Sequence, residues 1–164
     1  MGHYRVSQHV TRSNNRGALV DRGANGGILG ADARVILQHT REVDVTGIDN
    51  HALNSLKIVD GSAKVITNLG PAIAILRQYA YHGVGRTIHS AGQFEHYKVT
   101  VDDKSMKAGG KQCIRTPDGY VIPLDIVNGL PYMSEGGCYP ERRVPWTARN
   151  GRGPTRHHVL VGAT

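Results

Sequence analysis

At 164 residues, 39% of them apolar and 20% charged, the chain can bury one ordinary core and is too hydrophobic for a disordered polymer. Two cysteines without CxxC spacing exclude a disulfide scaffold, and no apolar run approaches the roughly 18 residues of a membrane-crossing helix. The net charge of +7 suggests nucleic acid, yet it sits at the ends: +3 before Asp21 (Arg5, Arg12, Arg16), +3 after Leu130 and only +1 between.

That distribution describes a near-neutral body with flexible basic arms at residues 1–17 and 134–164, and the arms are where nucleic acid would bind. The nine histidines show no HExxH spacing, and His157-His158 are adjacent, so no metal site is expected. No signal-peptide pattern opens the chain, which predicts an intracellular, cytoplasmic protein with no membrane partner. One Phe and one Trp leave the core to Val, Ile, Leu and Ala, with Tyr residues at its edges.

Ser13-Asn14-Asn15-Arg16-Gly17 is a turn cluster closing the N-terminal arm. Ala18-Leu19-Val20 is a short strand that stops at Asp21, and a glycine-rich stretch runs on to Gly30. Val35-Ile36-Leu37 and Val43-Asp44-Val45-Thr46-Gly47-Ile48 are two predicted strands, the second by its alternation. The polar interval 48–58 reads as a hairpin or mobile loop. Residues 63–67 and 72–76 are strands flanking Leu69-Gly70-Pro71, and Tyr79-Ala80-Tyr81 precedes a turn at Gly83-Val84-Gly85. Within residues 87–94, Ser90 stands where it can N-cap a short helix. Strands at 99–101, 112–114 and 120–124 alternate with turns at Asp102-Asp103, Gly109-Gly110 and Pro117-Asp118-Gly119. Past Pro131 the pattern dissolves into Gly, Pro and Arg, and a loose tail is expected until His158-Val159-Leu160-Val161. Short strands punctuated by such turns predict a mostly β domain over residues 18–133, a small barrel or sandwich with one short helix.

Leu19-Val20-Asp21-Arg22-Gly23-Ala24 is the segment able to carry chemistry. A strand that delivers an Asp into a tight turn, followed by Gly and Ala, is the layout of half an aspartic-protease site. Two such carboxylates held together share one proton, because like charges that close cannot both ionise. One then acts as acid while the other is base to an attacking water. A single motif in so short a chain implies a homodimer. Taken alone the motif is short, and Asp-Gly turns are common in β proteins for purely structural reasons.

The resemblance extends well past this hexad. Leu19-Val20-Asp21-Arg22-Gly23-Ala24-Asn25-Gly26-Gly27 resembles the Leu-Val/Ile-Asp-Ser/Thr-Gly-Ala-Asn-Gly-Gly signature of proteases in copia-type (LTR) retrotransposon polyproteins. Val43-Asp44-Val45-Thr46-Gly47-Ile48 resembles the segment leading to their flap, and Gly70-Pro71 through Tyr79-Ala80-Tyr81 resembles a strand of that family. Ile88-His89-Ser90-Ala91-Gly92-Gln93 is similar to the Leu-Leu-Ser-Val-Gly-Gln motif that closes its core. Gly119-Tyr120-Val121-Ile122-Pro123-Leu124 and Asn128-Gly129-Leu130-Pro131-Tyr132-Met133 fit the same lineage.

The resemblance, over roughly residues 18–133, implies a small closed barrel of the retropepsin (acid protease) type. It implies Asp21 as the catalytic carboxylate, Arg22, Gly23 and Ala24 as the active-site turn, and Ile88, Ser90, Gly92 and Gln93 as the core-closing motif. It implies a flap from about Gly47 to Ser62, with Gly47, Ile48, Asp49 and Asn50 as flap candidates. Peptide bonds of the element's own polyprotein would be the substrate. A homodimer or larger homo-oligomer, no metal or organic cofactor, and a setting in virus-like particles are further implications.

One departure bears on activity. Where the family has Ser or Thr after the aspartate, whose hydroxyl helps lock the half-sites across the dimer axis, this chain has Arg22. In an extended segment Arg22 points away from Asp21. Two copies near an axis would still repel, and a cation beside Asp21 favours its ionised form and opposes a shared proton. Unless Arg22 exits to solvent or pairs with a carboxylate such as Asp32, the site would be silent. The alternative function is then a non-catalytic, self-assembling structural protein built on the same β domain. Gly23-x-x-Gly26-Gly27-x-x-Gly30 also invites a phosphate-cradling reading, but no Walker Lys-Ser/Thr and no βα alternation accompany it.

Overall fold

Val, Ile and Leu recur through residues 34–46 and 52–67, and β-branched and apolar side chains at that density favour extended backbone. The computed structural model describes residues 17–47 and 49–133, together with the backbone of 157–161. The elements in order are β1 (Ala18–Asp21), β2 (Ile28–Leu29), β3 (Arg34–Thr46), β4 (Ala52–Thr67), β5 (Gly70–Tyr81), β6 (Ile88–Ser90) and α1 (Ala91–His96). Then come β7 (Thr100–Asp102), a single 3-10 turn at Met106–Ala108, β8 (Cys113–Arg115), β9 (Val121–Val127), β10 (Leu130–Met133) and β11 (His157–Val161). Apart from Gly17 and β11, the two basic arms lie outside the described residues, as does the question of nucleic acid binding to them.

The domain is mostly β, 58% strand against 8% helix. Strand order is β3-β4-β5-β2-β6-β1-β10-β9-β8-β7, with β11 parallel to β5. This sheet curls into a half-barrel; among the described residues the closed barrel expected from sequence is not formed, because β3 and β7 end the path without pairing with each other. The outer part of the β3–β4 hairpin has almost no buried side chain, so it shares no core that would draw the edge over toward β7.

Several local expectations change in the structure. The two strands expected at 35–37 and 43–48 are one strand, β3, and most of the expected loop at 48–58 is the start of β4. Only a tight turn separates them, closed by Gly47 N–H to the His51 carbonyl at 2.8 Å. Strand β10 was concealed by Pro131, which lacks the N–H a central strand needs. It fits because β1 pairs only with Tyr132 and Met133, leaving Pro131 with a partner on the β9 side alone.

Val20, Leu29, Val59, Leu76, Phe94, Ile114 and Met133 form the centre of the core. Tyr79, expected at an edge, is fully buried, and its hydroxyl lies 2.8 Å from His89 Nδ1. A phenol can enter a core when its O–H finds such a partner. Tyr79 also explains a glycine: a Cβ on Gly27 would come within 2.2 Å of the Tyr79 ring.

Two register irregularities lie within two residues of each other on β4, at Ile58 and at Asp60. Opposite β3, residues 39–41 bulge between the pairs Gln38↔Val59 and Glu42↔Lys57. Opposite β5, residues 77 and 78 face Asp60 between the pairs Val59↔Tyr79 and Gly61↔Leu76. The buried Asp60 carboxylate ties both together, accepting from His39 Nε2 at 3.0 Å, Arg77 at 2.8 Å and the Gln78 N–H at 2.9 Å. Burial alone would push Asp60 up, but the bonds from His39, the Gln78 N–H and Arg77 outweigh it and hold the carboxyl below its usual value. Its stabilising contribution is therefore present above the unfolded carboxylate range and is lost as pH falls through the lower folded value. Asp60→Ala is expected to cost about 2–3 kcal/mol in urea unfolding at neutral pH, below the range for a fully buried pair because Arg77 and His39 are 36% and 37% exposed. An unchanged midpoint would show that the bulges hold without the carboxylate.

Candidate active site

Alternation along β1 turns Ala18 and Val20 into the core and leaves Asp21 half-buried at the strand's end. There it lies beside Ser90 in the parallel β1–β6 register. Asp21 Oδ1 accepts the Gly23 N–H at 2.7 Å, an Asx-type turn that fixes the carboxylate on its own loop. Two side chains of the next parallel segment then hold that loop. Ser90 Oγ accepts the Gln93 N–H at 3.1 Å, capping α1 as expected, and donates to the Ala24 carbonyl at 2.6 Å. Gln93 Oε1 accepts the Gly27 N–H at 2.9 Å while its Nε2 donates to the Arg77 carbonyl at 3.0 Å.

The structure thus brings Asp21, Arg22, Gly23 and Ala24 together with Ser90 and Gln93, two groups separated by more than sixty residues. Ile88 is a half-buried β6 residue in register with Leu19 and Ile28. Gly92 is exposed on α1. Gly47, Asp49 and Asn50 form the turn at the end of the β3–β4 hairpin, and Ile48 lies outside the described residues. In the sheet, β5, β2 and β6 stand between that hairpin and β1.

Arg22 does pair with carboxylates, but not with Asp32. Its NH1 donates to Glu95 at 2.9 Å, while Nε and NH2 grip both oxygens of Asp103 at 3.3 and 3.2 Å. NH2 also donates to the Val101 carbonyl at 3.1 Å. Hydrogen bonds to Asp103 and then Glu95 raise the guanidinium further above its ordinary value, so its charge is fixed and faced by two acids. Asp32 is occupied elsewhere, accepting from the Thr87 N–H at 2.8 Å and the Thr87 hydroxyl at 2.6 Å. Glu95 and Asp103 could not be picked from the sequence: they lie 73 and 81 residues away, and only the α1–β7 return brings them to the turn.

The Asn25–Gly26 segment borders an open cleft of about 410 Å³, with Gln78, Gly92, Gln93, His96 and Tyr97 as the other walls; Asp21 is not among its lining residues. The cleft's walls are polar, with three amide side chains, of which Gln93 already bonds the Gly27 N–H and the Arg77 carbonyl and Gln78 accepts from Arg41. Gln78 also borders a smaller hollow of about 240 Å³ with His39, Thr40 and Arg41. The phosphate-loop reading loses its footing here. Gly27 is required by Tyr79, a Cβ on Gly30 would come within 2.5 Å of the Gly85 carbonyl oxygen, and strand β2 follows Gly26-Gly27 where a helix would be needed. Among the described residues no three His, Cys, Asp or Glu side chains converge as a metal site would require, and no helix is long and apolar enough to cross a membrane. No family model, curated protein or solved structure matches the chain.

Behind the turn, His89 pairs with Val20 across β6 and β1 and is fully buried. Its ring packs 5.1 Å from that of Phe94, and its Nε2 has no hydrogen-bond partner among the described residues. Burial pushes His89 down to about 3 and pushes the Tyr79 phenol up. The unfolded chain binds the His89 proton near 6.5 and the fold only near 3, so stability is full above 6.5 and drains as pH falls. Each pH unit in that window costs about 1.4 kcal/mol. His89→Gln, which keeps an amide for the Tyr79 hydroxyl, is expected to flatten this loss when urea midpoints are compared at about pH 6.5, 5 and 4. Equal slopes for both proteins would assign acid sensitivity to other groups.

Proposed function

We propose that the chain is one half of an aspartic endopeptidase of the retropepsin type, akin to the proteases of copia-type retrotransposon polyproteins, whose dyad forms when two copies bring their Asp21 residues together. The observation that carries this reading is the setting of Asp21. It stands at the end of a buried strand, in a Gly23 turn fastened to α1 by Ser90 and Gln93. A carboxylate so fixed is preorganised, and a second copy at hydrogen-bond distance would force one shared proton onto the pair. The protonated member then polarises the scissile carbonyl, and the ionised member takes a proton from the attacking water.

Four further features support it. Ile126 and Leu130 are exposed at the β9–β10 hairpin, and the β1–β10 register, carried along the strands, sets Leu130 level with Asp21. That apolar edge suits burial against a second copy. The amide-lined cleft suits a polypeptide, and the two-sided exposure of the β3–β4 hairpin suits a cover over one. Arg22, turned onto Glu95 and Asp103, leaves the dyad without an uncompensated cation.

A second reading has its own observation. Edge strand β3 exposes Ile36, Leu37 and Val43, which favours a scaffold that self-associates by strand addition. Peptide-library cleavage from about pH 3.5 to 7 separates the two. The protease reading expects cleavage per chain to rise with protein concentration and Asp21→Asn to lose at least about a hundredfold in rate. Folded protein that cuts nothing yet sediments as a species larger than a dimer would hand the function to the scaffold reading.

A further inference from the structure

We infer that Arg22 is a positioning residue for Asp21, a latch that fastens the start of the active-site turn to its own protomer through Glu95 on α1 and Asp103 beyond β7. Its consequence for catalysis rests on the protease reading above, but the latch itself can be read without any catalysis.

The residue after Asp21 has the least freedom to move without carrying the carboxylate along. In this chain it makes four hydrogen bonds to three partners: Glu95, both oxygens of Asp103 and the Val101 carbonyl. The planar fork on Asp103 needs a guanidinium, since an ammonium supplies charge but not two parallel N–H donors. The other side of the turn is held by different bonds, at Ala24 by Ser90 and at Gly27 by Gln93. Residues 22–27 are therefore gripped at both ends, and Asp21, bonded to the Gly23 N–H within that span, is located by both grips. The grips share α1: Ser90 caps it and Gln93 and Glu95 lie on it.

Exposure decides what kind of role this is. Arg22, Glu95 and Asp103 are 48%, 43% and 28% exposed, a setting in which ion pairs add little to global stability. A network of four bonds that barely stabilises the fold, but brackets a carboxylate that must be placed within about half an ångström, acts locally. Read as an off-switch, the same arginine makes the opposite prediction, since removing it should then raise activity.

The experiment uses the full chain with Arg22→Ser, Arg22→Lys and the double variant Glu95→Gln/Asp103→Asn. Amide exchange at Gly23, followed by NMR, is expected to quicken roughly tenfold in Arg22→Ser and in the double variant while β8 and β9 amides keep their protection. Unchanged exchange at Gly23 overturns the latch. In peptide cleavage, kcat is expected to fall about ten- to a hundredfold with KM moving less than about threefold, and Arg22→Lys should lie between. A rise in kcat for Arg22→Ser overturns the positioning role in favour of an off-switch. If the parent chain cleaves nothing, the protease reading falls, and Gly23 exchange alone judges the latch.

Discussion

One hydroxyl joins the two halves of this fold. Ser90 ends β6, caps α1 through the Gln93 N–H and donates to the Ala24 carbonyl in the turn that follows Asp21. Because β1 and β6 run parallel, their connection must span the whole β2–β5 excursion, and nothing local in sequence obliges their ends to meet. The meeting is made specific by short polar bonds whose partners would be orphaned in a buried setting if the register slipped by one residue. Gln93 extends the same logic to Gly27, and Gly27 in turn admits the Tyr79 ring into the core.

The turn after Asp21 is therefore built from both faces of one short helix. Inward-facing groups fix Ala24 and Gly27, and Glu95 takes Arg22 on the solvent side. This division explains how a large cation can follow a candidate catalytic acid without standing beside it. The arginine is drawn sideways into a carboxylate pair, and its charge is spent there rather than at the carboxylate it follows.

Much of this was legible in the residues, for identifiable reasons. Ser90 could be placed as a cap because capping is a local demand, met within three residues. The strand ending at Asp21 and the turns at Gly83 and Gly119 were visible because Asp and Gly punctuate short apolar runs. What escaped was non-local. Polar residues at 38–42 and 48–57 masked the continuity of two long strands: the alternation at 43–46 could be read, but not the polar stretches that join it to the rest of β3 and β4. Pro131 masked β10, and the partners of Arg22 and Asp60 were set by tertiary return of the chain rather than by spacing. The copia-type resemblance pointed to the turn and to Ser90-Ala91-Gly92-Gln93 separately, and only the fold puts them in one place.

The paired bulges around Asp60 carry a mechanical consequence. Beyond them the β3–β4 hairpin has lost its contact with the core, and the ladder is interrupted on the two sides of β4 within two residues, at Ile58 toward β3 and at Asp60 toward β5. A beam notched on both sides at nearby points flexes there and stays stiff elsewhere. The hairpin's resting angle is then set by a buried charge with three donors around it, a spring of directional bonds rather than of packed side chains. Such a spring resists twisting and permits a swing along the direction in which His39, Arg77 and Gln78 can follow the carboxylate together.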